Sequence, residues 1–283
     1  MAPTLLHVSP HPDDEAVGCP ATLLHFHDRG WRVVNLVVSM GFPAQQPRRR
    51  AETAEATARA GFVAHLLDPP LPISIGDDLE ASVARLAGEL PALVRQYDAS
   101  VVVSPSPHDV HHGHEVVGRS VQRAMAELPD STRWWMWGVW GDLPAPNIYY
   151  GFDQSVLDRA LNILEAYGGE LERNDYRGLL TGRAMANTVL GAERVFGFGY
   201  PAASTRPYAE VLTEVRRLDG RFMASEPHHL DEGPSPTTQF DLDLTPWIEA
   251  PSMHELVGRI REVDPPEPDT DTAPGADHAD AHA

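Results

Sequence analysis

The chain has no lysine: all 22 basic residues among its 283 are arginine, and 41 acidic residues bring the formal net charge to −19. A surface with that balance repels a nucleic-acid backbone and an anionic membrane, so a small molecule is the expected partner. Cysteine is almost as scarce, with Cys19 standing alone. A single cysteine excludes an internal disulfide and a thiolate zinc cluster, so any metal site must be built from His, Asp and Glu. Long apolar runs are missing as well. Nothing approaches the ~18 consecutive apolar residues that span a bilayer, and Met1-Ala2-Pro3-Thr4 lacks the basic, apolar start of a secretory signal. A cytoplasmic location is therefore expected.

What is present alternates. Leu5–Val8 reads as a strand, Pro20 to about Asp28 as a helix, and Val33–Val38 as the β-branched run of a strand buried on both faces. A helix over Arg48–Ala60, a strand over Val63–Leu67, and a helix carrying Leu79, Val83, Leu86 and Leu90 follow, the last kinked or split at Pro91. Ser100–Ser104 is a fourth strand. This order predicts an α/β fold, a Rossmann-like, mostly parallel sheet with helices on both faces. Beyond Leu128 the pattern becomes a less regular C-terminal extension, with helices expected over Asp153–Tyr167, Tyr176–Leu190, Tyr208–Arg217 and Met253–Ile260. The segment from Trp134 to Trp140 reads as core, with an aromatic wall for stacking on a sugar ring as the rival. Residues 1–263 are expected to form a single domain, and 264–283, which have almost nothing apolar to bury, a disordered acidic tail.

Two loops carry the chemistry. The first strand runs into His11-Pro12-Asp13-Asp14-Glu15. An imidazole and three carboxylates are costly beside a core unless something pairs them, and a metal ion is the simplest partner. His11 and Asp14 would then be ligands, with Asp13 free for acid–base work; a solvated start to a helix is the competing reading. After the fourth strand, His108, Asp109, His111, His112 and His114 fall within seven residues. Alone this is a polar loop. With the first loop at the same end of the sheet, a single site built from both is the better reading. His25, His27, His228 and His229 read as structural or solvent-facing.

Together the two loops resemble the PIG-L/LmbE family of zinc-dependent N-acetyl deacetylases. The family's HPDDE motif stands unchanged at 11–15, and its His-x-Asp-His pattern is similar to His111-His112-Gly113-His114. Ser39-Met40-Gly41 and Arg49-Arg50-Ala51-Glu52 are further points of similarity, and the resemblance covers roughly residues 4–127. It implies a zinc ion, or another divalent ion such as Fe2+, held by His11, Asp14 and His114. It implies Asp13 as general base and His111 as oxyanion stabiliser or general acid. The reaction implied is removal of an N-acetyl group from an amino sugar or glycoside, with a sugar-linked thiol conjugate as an alternative substrate. Two imidazoles and a carboxylate also leave a fourth position open, as catalytic rather than structural zinc requires.

The sequence departs from the family at Gly113, where a carboxylate that orients the catalytic histidine is expected; Asp109 is the candidate substitute. Pro20-Ala21 replaces paired glycines. Arg49 matches a position that contacts substrate, with a surface ion pair as the other reading, and Glu15 has no assigned role. From other classes, a non-haem Fe(II) oxygenase fits His-x-x-Asp with a distant His, but such enzymes favour all-β scaffolds. A non-catalytic metal-binding protein would have no need of Asp13.

Overall fold

The computed structural model describes residues 2–73, 78–230, 235 and 237–251. The expected helix over 253–260 and the tail over 264–283 lie outside them. Strands β1 (Thr4–Ser9), β2 (Arg32–Val37), β3 (Val63–Leu66), β4 (Ala99–Pro105) and β5 (Arg133–Trp137) form a parallel sheet in the order β3-β2-β1-β4-β5. Between them run α1 (Asp14–Val17), α2 (Pro20–Asp28), α3 (Gln46–Ala60), α4 (Leu79–Tyr97) and α5 (His112–Ala124). Successive side chains of a strand point to opposite faces, and both faces here are apolar. Leu5, Val33, Val101, Val103, Trp135 and Trp137 join a core with residues of α2 and α3 on one side. Leu6, Val8, Val34, Val102, Trp134 and Met136 pack with residues of α4 and α5 on the other. The three tryptophans of β5 are thus core residues.

α4 is not split. It runs through Pro91 without interruption, because a proline there removes one backbone donor while Leu86, Leu90 and Val94 stay buried in the same core. The C-terminal extension is more regular than its pattern implies. After β6 (Ile148–Phe152) come α6 (Gln154–Leu164), α7 (Gly168–Arg173), α8 (Tyr176–Ala186) and α9 (Leu190–Phe196). Then β7 (Tyr208–Leu218), β8 (Arg221–Ser225), β9 (His228–His229), β10 (Phe240–Asp243) and α10 (Thr245–Ile248) close the described fold. The helix expected over Tyr208–Arg217 is therefore wrong: those residues form β7, which pairs antiparallel with β5, β6 and β8 and extends the sheet beyond its parallel part. The signal was the dipeptide Asp219-Gly220. Both residues have positive φ, 48° and 80°, and close the two-residue turn between β7 and β8.

The strand order reverses between β1 and β4, and a crevice at the carboxyl ends of strands at that point is where such sheets place their sites. Both loops singled out above lie there.

Candidate active site

β1 ends at Ser9, and the chain turns through His11-Pro12-Asp13 into α1. Asp13 caps that helix at φ 112°, in the left-handed region. For a side chain with a Cβ this costs on the order of 1–3 kcal/mol, and such strain concentrates at functional sites. Hydrogen bonds hold the turn in place. Ser9 Oγ donates to the His11 carbonyl at 2.8 Å, and the His11 amide donates to Asp14 Oδ2 at 2.8 Å. The Asp13 carbonyl accepts from Ala16 and Val17 at 2.8 and 3.1 Å.

The second loop leaves β4 and delivers His111 to the N-cap of α5, where its Nδ1 accepts the Gly113 amide at 3.2 Å. With Nδ1 accepting, the neutral ring carries its proton on Nε2. His114 lies one turn into the helix. Its Nδ1 bonds to Asp109 Oδ2 at 2.7 Å, and Asp109 Oδ1 accepts the amides of Val139, Trp140 and Gly141 at 2.9, 2.8 and 2.6 Å. The loop after β5 thereby fixes Asp109, and Asp109 fixes His114.

The loops converge. Ligating nitrogens of His11, His111 and His114 all lie within 4.8 Å of one another. Asp14 stands between two of them, with Oδ2 3.4 Å from His11 Nδ1 and Oδ1 3.2 Å from His114 Nε2. With the His114 proton committed to Asp109 through Nδ1, its Nε2 lone pair faces a carboxylate oxygen, a contact that requires a cation. Burial works against charge on Asp14, but the imidazoles of His114 and His11 outweigh it and hold the carboxyl well below its usual range. Burial likewise lowers His114, while Asp14 and Asp109 more than offset it and raise that imidazole to about 10. A divalent ion meets the same demand as a second proton there, so the donor set fits a metal.

Asp13 and His111 sit beside this centre with different electrostatics. Asp13 is raised well above the carboxylate range by burial and by the charges of Asp14, Glu170 and Glu15, with Arg49 opposing. His111 is pushed down to about 2 by burial and by His114 and His11, so it is neutral.

Two departures from the family pattern now have physical explanations. Asp109 was expected to orient His111 but bonds His114 instead, and the Gly113 amide orients His111. Gly113 itself is required by His11, since a Cβ there would lie 2.4 Å from His11 Cε1 and Nε2. The amides at the start of α2 are equally committed: Glu210 of β7 accepts from Ala21 and Thr22, each at 2.8 Å. That helix end therefore serves β7. Trp137 also reaches the site, edge-on to His114 with ring centroids 5.2 Å apart.

Glu15 gains a role that the sequence did not reveal. It is fully buried, and Tyr167 donates its hydroxyl to Glu15 Oε1. Tyr167 immediately precedes α7, and two residues of the Arg49–Glu52 stretch hold that helix too. Arg49 Nη2 donates to Glu170 Oε1 at 2.6 Å, and Glu52 Oε1 accepts the Gly169 amide at 3.2 Å. The surface-pair reading of Arg49 fails, because the pair is with a buried glutamate of another element. Nothing in the pattern around 167–176 marks these residues as neighbours of the first loop. A cleft of about 1200 Å³ opens elsewhere, lined by Trp31, Ser100 and Arg133 near the amino ends of the strands, and none of the candidate site residues lines it.

No curated protein matches the chain by sequence. Among solved structures it is similar to the deacetylase Dbv21, which acts on the A40926 pseudoaglycone, at 18% identity and a TM-score of 0.57, covering 75% of this chain and 97% of that one. The N,N'-diacetylchitobiose deacetylase of Pyrococcus horikoshii is similar at 16% identity and a TM-score of 0.54, over 76% and 84% of the two chains. So is the 4-carboxy-2-hydroxymuconate hydratase GalB of Pseudomonas putida, at 18% identity and a TM-score of 0.58, over 75% and 96%. These likenesses establish the fold. In sequence, residues 6–125 match the family described as "PIG-L: GlcNAc-PI de-N-acetylase". The resemblance read from the two loops coincides with this match: residues 6–125 are similar in sequence to the PIG-L family, and the stretch supplies every candidate ligand and acid–base residue.

Proposed function

We propose that the chain is a zinc-dependent N-deacetylase of an N-acetylated amino sugar or glycoside, with His11, Asp14 and His114 as ligands. The observation that carries the reading is Asp14 set between two imidazoles, with a carboxyl of raised pKa, Asp13, immediately before it in the chain. When bound, the metal polarises an amide carbonyl and acidifies an adjacent water. Asp13, whose carboxyl is raised by burial and by the neighbouring carboxylates, takes the proton of the attacking water as general base. His111 donates its Nε2 proton toward the carbonyl oxygen as charge develops there, a contribution of about 3–4 kcal/mol per donor in other hydrolases. The proton held by Asp13 then passes to the departing amine.

The fold also houses a hydratase, so the fold alone does not choose the reaction. The PIG-L match over the site and the sugar deacetylase among the similar structures favour amide cleavage. Acetate release from a panel of N-acetylated glycosides tests the proposal. Release is expected with zinc present and should disappear on chelation. Zinc-loaded protein that releases no acetate from any member defeats the reading.

A further inference from the structure

The support of the site extends past Asp109. The loop after β5 turns tightly over Gly138-Val139-Trp140-Gly141, and neither end of the turn has room for a side chain. A Cβ on Gly138 would lie 2.2 Å from the Gly141 carbonyl oxygen, and one on Gly141 would lie 2.8 Å from the His108 carbonyl oxygen. Glycines at both ends leave the peptide planes between them free to turn over. Yet the amides of Val139, Trp140 and Gly141 all point inward, to Asp109 Oδ1 at 2.9, 2.8 and 2.6 Å.

The group that holds the planes stands on the other side of the loop. Arg183, near the end of α8, donates Nη1 to the Val139 carbonyl at 2.9 Å and Nη2 to the Gly138 carbonyl. The Gly138 carbonyl and the Val139 amide belong to one peptide unit, and the Val139 carbonyl and the Trp140 amide to the next. In a trans peptide the C=O and N–H point opposite ways, so each unit is clamped between a guanidinium nitrogen outside and a carboxylate oxygen inside. α8 gives Arg183 a rigid base, since Tyr176, Leu180 and Ala184 hold that helix in the core. Among the described residues no carboxylate pairs with the guanidinium. Its charge acts on the two carbonyls instead, and a carbonyl drawn outward makes the amide of its own peptide a stronger donor, as chains of hydrogen bonds reinforce one another. Asp109 is fully buried, with the loop amides and the His114 ring as its partners. A buried carboxylate depends on such donors staying aligned.

We propose that Arg183 is a positioning residue for the metal centre. It keeps two peptide planes with their amides toward Asp109, Asp109 is thereby held against His114 Nδ1, and His114 keeps Nε2 turned toward Asp14. This rests on the metal-site part of the deacetylase reading, and it adds a residue outside the stretch 6–125 that matches the family. A plain anchor between α8 and the loop would act on zinc affinity whether or not Asp109 is there to be positioned. A positioning residue acts only through Asp109.

The test is a double-mutant cycle on zinc affinity, measured on the full chain by competition with a chelator, with urea titration of the zinc-free proteins alongside. Arg183→Met should weaken zinc binding about tenfold, the low end of the range for groups that orient a ligand histidine. In the Asp109→Ala background the same substitution should change zinc affinity by less than about twofold, since the path is already cut. Arg183→Lys keeps the charge without the planar fork. It should fall between wild type and Arg183→Met, and it carries the same cycle if the Met variant does not fold. Unchanged zinc affinity in Arg183→Met, or an equal fold-loss with and without Asp109, overturns the proposal, and so does wild type that binds no zinc. Acetate release from N-acetylated glycosides is followed in parallel. A coupled cycle in a protein that binds zinc but releases no acetate defeats the deacetylase reading and leaves Arg183 in its role.

Discussion

Asp109 shows how much a single side chain does here. It accepts three backbone amides and the His114 ring, so it ties the loop after β5 to a candidate ligand. Carboxylates that orient ligand histidines are typically worth about 10–100-fold in metal affinity. Asp109→Ala is expected to weaken zinc binding by that range in a competition titration with a chelator, while His111→Ala leaves it within about threefold. Loss of zinc from His111→Ala would move His111 into the ligand set. Asp13 offers a second contrast. Asp13→Gly removes the strain of φ 112° and is expected to stabilise the fold by about 1 kcal/mol in urea titrations while abolishing acetate release. Gly113→Ala brings a Cβ against the His11 ring and should reduce bound zinc, as measured by metal analysis.

At the scale of elements, β1 carries a titration that reports on folding. His7 is fully buried, bonded through Nδ1 to Asn35 Oδ1 at 2.8 Å, and its Nε2 accepts from Trp137 Nε1 at 3.2 Å. Burial lowers its pKa from 6.5 to about 4. Between those values the unfolded chain binds the proton and the folded chain does not, so stability should rise with pH from about 4 to 6.5 and then level off. The full contribution is roughly 3 kcal/mol, and in His7→Gln that part of the pH dependence should disappear from urea titrations. α7 is held by Glu15, Arg49 and Glu52, so Tyr167→Phe should cost about 1–3 kcal/mol by leaving the buried Glu15 without its donor, with zinc retained. The parallel strands were legible because a strand buried on both faces announces itself as a β-branched run, as at Val101-Val102-Val103. β7 was not, because Tyr208–Arg217 mixes charged and apolar residues in a pattern that a helix also satisfies. Only the turn at Asp219-Gly220 decides between them.

At the scale of the molecule, the convergence of the candidate ligands and acid–base residues was legible because each motif sits next to its strand in sequence. The contacts of α7 were not, since Tyr167 and Glu170, which bond Glu15 and Arg49, stand more than 150 residues beyond Glu15 and more than 110 beyond Arg49. No helix among the described residues is long and apolar enough to cross a membrane. A metal that binds the folded chain alone must raise its stability by mass action. Thermal unfolding should therefore shift upward with added zinc and downward with chelator, and a transition indifferent to both would argue against the centre. The most direct measurement of the central claim is metal content and acetate release, taken together, on Asp13→Asn. The account predicts about one zinc per chain, as in the wild type, with acetate release reduced by at least the 100-fold low end typical of a lost general base. Release that persists with zinc bound, or zinc that leaves with the carboxylate, would contradict the division of labour between Asp13 and Asp14.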